Sequence, residues 1–158
     1  MKYFKISQFN DKGNNIITIP NIKEDEIKTS FGVVKQIDDY EDKVFLNYYE
    51  KPYPMVSRAL RDVLRPYIPK VLDISVSLTS QSLKMVVSYW ILKLEQIKSQ
   101  IENSQKTEII LDIQDIKDKK MFTARAGHIG HVIINLEIAE LILRNSISDI
   151  QLDEITTF

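Results

Sequence analysis

The sequence predicts an α+β protein, with a mostly antiparallel sheet and two principal short helices at about 57–65 and 136–145. Three features lead there. Residues 71–78 alternate without a break: Leu72, Ile74, Val76 and Leu78 face one way, and Asp73, Ser75 and Ser77 the other. That is a strand with one buried side. Leu60, Val63, Leu64 and Tyr67 recur at helical spacing behind Ser57, whose hydroxyl suits the cap of a first turn. Strand patterns outnumber helical ones along the chain.

Taken in order, residues 2–6 and 16–19 read as strands rich in β-branched and aromatic side chains, with turn chemistry at 10–15 between them. Residues 29–37 read as a further strand, followed by an acidic loop at 38–42. Phe45 to Pro54 (FLNYYEKPYP) is held extended by its two prolines. Ser57 opens the first helix, and Pro66 and Pro69 close it. Residues 84–94 form a second, more apolar strand that makes a hairpin with 71–78. Residues 99–107 are polar loop and 108–113 a strand. Residues 120–126 and 131–134 form a hairpin around Gly127 and Gly130. Asn135 caps the last helix, in which Glu137 and Arg144 suit the two ends of the helix dipole and Glu140 and Arg144 are spaced to pair. A strand from Ile150 closes the chain.

The chain has 158 residues, enough for one domain over 1–158 that buries roughly 68–70% of its unfolded surface. It has no cysteine, which excludes a disulfide framework and any thiolate metal site. A composition of 44% hydrophobic and 27% charged residues excludes disorder. Four glycines leave little material for a phosphate-cradling loop. The apolar run at 85–92 falls far short of the ~20 residues a membrane helix needs. With no signal-like start and no glycosylation sequon, a cytoplasmic protein is expected. The net charge of −1 disfavours a dedicated nucleic-acid binder. That total hides a segregation: residues 1–50 carry −2, residues 51–100 carry +5 and residues 101–158 carry −4.

No residue set has the pattern of catalysis or metal binding. His128 and His131 stand in a glycine turn, and on strand geometry positions three apart face opposite sides. Asp112, Asp115 and Asp118 lack the alternate spacing and distal glutamate of a calcium loop. Ser57 lacks a nucleophile-elbow context, and Glu137 and Glu140 have nothing converging on them. No catalytic, cofactor or metal residues are therefore assigned.

Two charged patches remain. Arg58, Arg61 and Arg65 share one helical face, with Lys51 and Lys70 near in sequence and with Tyr48, Tyr49, Tyr53 and Tyr67 close by. Three readings fit: a solvated helix face with tyrosines on the core, a protein-binding surface, or a single-stranded nucleic-acid surface. The acids Glu24, Asp25 and Glu26, and then Asp38, Asp39, Glu41 and Asp42, read as solvated loops or as a surface that steers toward a basic partner.

One likeness runs through the last two thirds of the chain. Pro54-Met55-Val56-Ser57 precedes a short helix; Tyr89-Trp90 lies on a strand; Ile109-Ile110-Leu111-Asp112 follows. Met121-Phe122, then Ile133-Ile134-Asn135, the last helix and Ile150-x-Leu152-x-Glu154-Ile155 complete the series. This pattern, over about residues 45–158, resembles the small immunity proteins of bacterial polymorphic-toxin systems, of the myxobacterial immunity-domain type. Residues 1–44, a strand-and-loop region, lie outside the likeness. The resemblance implies a cytoplasmic, non-enzymatic protein that binds and neutralises a cognate toxin by protein–protein contact. The expected contact residues are Tyr48, Tyr49, Tyr53, Arg58, Arg61, Arg65, Asp38, Asp39, Glu41 and Asp42. The alternatives are a small enzyme built on His128, His131, Glu137 or Asp112, and an RNA binder using the Arg58, Arg61 and Arg65 face.

Overall fold

The computed structural model describes residues 1–10, 15–29, 32–37, 43–68, 74–98, 108–126 and 129–158. In chain order the elements are β1 (Tyr3–Gln8), α1 (Glu24–Thr29), β2 (Gly32–Gln36), β3 (Tyr48–Tyr49), β4 (Met55–Ser57), α2 (Arg58–Leu64), β5 (Ile74–Ser80) and β6 (Met85–Ile91). There follow β7 (Gln96–Lys98), β8 (Ile110–Leu111), α3 (Ile113–Ile116), β9 (Met121–Ala126), β10 (Ile129–Asn135), α4 (Leu136–Arg144), β11 (Ile150–Glu154) and β12 (Thr156–Thr157). The class is α+β, with 43% of the described residues in strands, in mixed, largely antiparallel sheets. None of the described helices is long and apolar enough to cross a membrane.

The chain forms two compact units, one of Met1–Ser7 with Leu94–Phe158 and one of Gln8–Lys93. Residues 1–44, expected as one region, are divided between them. In the first unit a five-stranded sheet runs β11-β1-β10-β9-β7. β1 is antiparallel to β10 and β10 to β9, while β7 lies parallel to β9. Tyr3, Ile109, Leu111, Ile116, Phe122, Ala124 and Ile133 form its core, with Tyr3 and Phe122 edge to face at 5.9 Å. The Tyr3 hydroxyl donates to the Ile116 carbonyl at 2.5 Å. Asn135 closes the hairpin strand and caps α4, its Oδ1 accepting from Ile138 N at 3.0 Å.

The second unit holds a sheet of order β2-β5-β6-β4-β3. β5 keeps the expected alternation from Ile74, with Ile74, Val76 and Leu78 buried, but runs on to a buried Ser80 where the strand was expected to end at Leu78; residues 71–73 lie outside the described residues. These pack with Tyr89 and Ile91 of β6, Met55 of β4, Val33 of β2 and Ile19, Ile22, Ile27, Leu46 and Tyr49. The hairpin turn at 81–84 ends on Lys84 at φ 49°, the left-handed backbone a tight hairpin demands. β2 lies parallel to β5. A Cβ on Gly32 would stand 2.8 Å from Ser75 Oγ, so a side chain there would require the Ser75 hydroxyl to turn away.

Several sequence expectations change. Among the described residues, 16–19 make an isolated bridge, Ile16 with Val44, and no longer ladder. Ile17 and Ile19 are nonetheless buried. The acidic run Glu24, Asp25 and Glu26 is not a loop but the first turn of α1, where carboxylates complement the helix dipole. Glu26 reaches back to Lys23 N at 2.7 Å, half of a capping box, and holds Lys35 of β2 at 2.7 Å. The strand expected over 29–37 is correspondingly shortened to Gly32–Gln36. The strand expected over 108–113 ends at Leu111, because Asp112 accepts from Gln114 N at 2.9 Å and starts α3. Residues 99–107 and the turn at 127–128 lie outside the described residues.

Candidate functional site

The arginine face is built by a change of direction. β4 runs beside β6 through Met55↔Ile91, Val56↔Trp90 and Ser57↔Tyr89. At Arg58 the chain leaves the sheet as α2. Ser57 fixes that departure, with its Oγ accepting from Leu60 N at 3.2 Å and donating to Asn47 Oδ1 at 2.5 Å. Its own N–H donates to the Asn47 carbonyl at 2.9 Å. Leu60 and Leu64 are buried, as their spacing predicts. Arg58, Arg61 and Arg65 therefore share the outer side, since i, i+3 and i+7 lie on one face of a helix.

Arg61 is anchored. Its guanidinium carbon lies 4.4 Å from the centroid of the Trp90 ring, and its Nε is buried without a hydrogen-bond partner. Trp90 alternates with Tyr89 and Ile91, whose side chains enter the core, so it stands on the other face of the sheet. Arg58 and Arg65 are exposed. Among the described residues, no acid forms an ion pair with any of the three arginines.

The tyrosines expected beside them lie elsewhere. Tyr48 and Tyr49 are each only 2% exposed and cannot meet a partner surface. Tyr49 packs edge to face on Tyr89 at 5.4 Å and accepts from Leu46 N at 3.3 Å. Burial pushes the Tyr48 phenol well above its ordinary range, and the Glu50 carboxylate adds to the effect. Tyr53 is half-buried against the core and Tyr67 is exposed. The reason is the β3–β4 pairing, which turns this aromatic segment into sheet instead of surface loop. Asp38, Asp39, Glu41, Asp42 and Lys70 lie outside the described residues.

The side chains considered for an enzyme are occupied separately. Asp112 caps α3, Glu137 pairs with Lys120 at 3.1 Å and Glu140 with Arg144 at 3.5 Å. His131 is half-buried on β10, and His128 lies outside the described residues.

Two features of this unit are not visible as sequence motifs. The first is Trp90 as the platform for Arg61; strict alternation from Tyr89 places it on the opposite face of the sheet and was the available signal. The second is a notch of about 420 Å³ lined by Phe45, Leu46, Asn47, Arg58, Val86 and Ser88, among others. It lies where β4 would continue beside β6 had α2 not left the sheet. A larger open groove, about 880 Å³, runs past Phe9, Ile16, Tyr49 and Pro52, where Gln8 and Glu50 exchange hydrogen bonds at 2.9 and 3.1 Å.

Comparison with protein-family models gives no match for this chain, and comparison with curated proteins gives none either.

Proposed function

We propose that this protein is an immunity-type binding protein of the cytoplasm, which occludes a cognate toxin by docking its α2 arginine face on an acidic surface of the toxin. The observation that carries this reading is three arginines on one helical face with no acid paired to them among the described residues. One of them stacks on Trp90. Arginines that are pre-positioned and not already neutralised are what a protein interface uses for orientation and for rapid encounter. The pattern likeness over about residues 45–158 supplies the toxin as the partner class.

Co-expression with the toxin domain encoded beside its gene tests the reading. Restored growth and a stable complex that is lost on charge reversal at Arg58 and Arg65 are the expected results. Failure to bind or to restore growth overturns it. The RNA reading rests on the same arginines, but Tyr48 and Tyr49, the stacking platforms it needs, are in the core.

A further inference from the structure

β6 is an internal strand along only part of its length. Its register with β5 extends from Ile91 to Met85, whereas its register with β4 stops at Tyr89. The direction of its backbone groups can be read from one hydrogen bond. Leu92 N donates to the Pro54 carbonyl at 2.8 Å, so residues of the same parity, Trp90, Ser88 and Val86, turn their main-chain groups toward the β4 side. Among the described residues, no strand stands at Val86 to receive them. The opposite parity, Val87 and Tyr89, faces β5.

This short edge is not protected in the usual ways. Proteins blunt exposed edges with prolines, bulges or charged side chains. Residues 85–91 read Met-Val-Val-Ser-Tyr-Trp-Ile and contain none. Val86 is 64% exposed, and Val34, on β2 of the same sheet, is 70% exposed. The opposite wall of the notch is Phe45, Leu46 and Asn47, and α2 closes one side with Arg58 and Ala59. The notch is bordered by Arg58, to which no acid is paired among the described residues, with Arg61 and Arg65 following on the same helical face.

We infer that this notch receives an extended acidic segment of the partner protein, which adds as a short strand beside Val86 and sets its carboxylates on Arg58 and the arginines beyond it. Main-chain bonds to the edge give register, and the arginines give charge selection. A vacancy of three to four residues at ~3.3 Å each accommodates roughly 10–13 Å of extended chain. This inference rests on the binding reading above and names the part of the partner that is recognised.

The probe is a blocked eight-residue peptide of alternating valine and glutamate, titrated into the full chain and followed by amide hydrogen exchange and chemical shift. In the free protein the Val86 amide exchanges fast and the Val87 amide, bonded to β5, slowly. The glutamate peptide is expected to slow exchange at Val86 at least about tenfold and to bind at least about tenfold more weakly to Arg58→Glu. A valine–lysine peptide is expected to leave Val86 unchanged. Val86→Pro, which removes an N–H that β5 does not use, is expected to abolish peptide protection while the β5–β6 amides stay slow. An unchanged Val86 amide at saturating glutamate peptide overturns the inference, as does equal binding of the lysine peptide. The co-expression result separates the two ideas. Neutralisation of the toxin without peptide binding removes the notch and keeps the binder; peptide binding without neutralisation removes the toxin and keeps the notch.

Discussion

The Arg61 guanidinium lies 4.4 Å from the Trp90 ring centroid and has its Nε buried without a partner. The contact joins α2 to β6 on the face of the sheet opposite Tyr89 and Ile91, which Trp90 shares with the buried Val56, so it ties helix to sheet. A double-mutant cycle of Arg61→Ala and Trp90→Ala, followed by urea unfolding, is expected to give a coupling of about 0.5–1 kcal/mol. Arg61→Lys keeps the charge but loses the planar stack, and should recover less than half of that coupling.

Ser57 joins β4 to α2 through one hydroxyl. Ser57→Ala is expected to destabilise by about 1 kcal/mol, the usual effect of losing a serine cap. Because the same oxygen holds Asn47, Ser57→Ala and Asn47→Ala should be sub-additive in the double variant. Urea midpoints of the three proteins check this.

Tyr89 donates from its hydroxyl to the Leu46 carbonyl at 2.6 Å in the core of the second unit. Tyr89→Phe leaves that carbonyl without its buried donor. A loss of about 1–3 kcal/mol is expected in denaturant unfolding, the range for an unsatisfied buried acceptor.

Two groups set opposite arms of the pH dependence. The Tyr48 phenol is raised by burial, then by Glu50. Its neutral form is the folded one, so its contribution is complete below the ordinary tyrosine value of 10.0 and is lost as pH rises above it, where the unfolded chain ionises first. Tyr48→Phe should flatten that alkaline fall. The Glu26 carboxyl is lowered by its hydrogen bond to Lys35, then by the backbone bond at Lys23. Its contribution is present above the ordinary carboxylate range and is lost as pH falls through its lowered value. Glu26→Gln should flatten the acid arm, and Tm measured from pH 2 to 11 reports both arms.

Charge reversal at Arg58 and Arg65 together is expected to weaken the partner complex at least about tenfold, mostly through slower association at low salt. Reversal at Glu24, which lies on α1 and pairs with Lys28 at 3.2 Å, should leave it unchanged. Association rates at two ionic strengths distinguish the cases.

What was legible in the sequence follows from how local each signal is. Strict alternation gave β5, and the Ser57 and Asn135 caps placed both principal helices within a residue of their observed starts. The Arg58, Arg61 and Arg65 face was legible for the same reason, since a helical face depends only on spacing. Tyr48 and Tyr49 were not placed correctly, because their burial depends on β3 pairing with β4, a two-residue ladder with no pattern of its own. Glu24, Asp25 and Glu26 read as a charge run, because a six-residue helix is too short to show periodicity. Trp90 and the notch depend on where β4 stops beside β6, which is a tertiary fact.

The position of β1 bears on how the protein is made. It lies between β11 and β10, and Tyr3 opposes Asn135. At ~5–20 residues per second on the ribosome, this strand emerges roughly 6–26 seconds before the partner it needs. Through that interval the segment Gln8–Lys93 can complete its own sheet, while Tyr3 and Ile6, both buried in the finished protein, stay open to chaperones. Strand β1 is thus enclosed only after β10 has been made, and a ribosome stalled before residue 129 leaves it without β10 or β11.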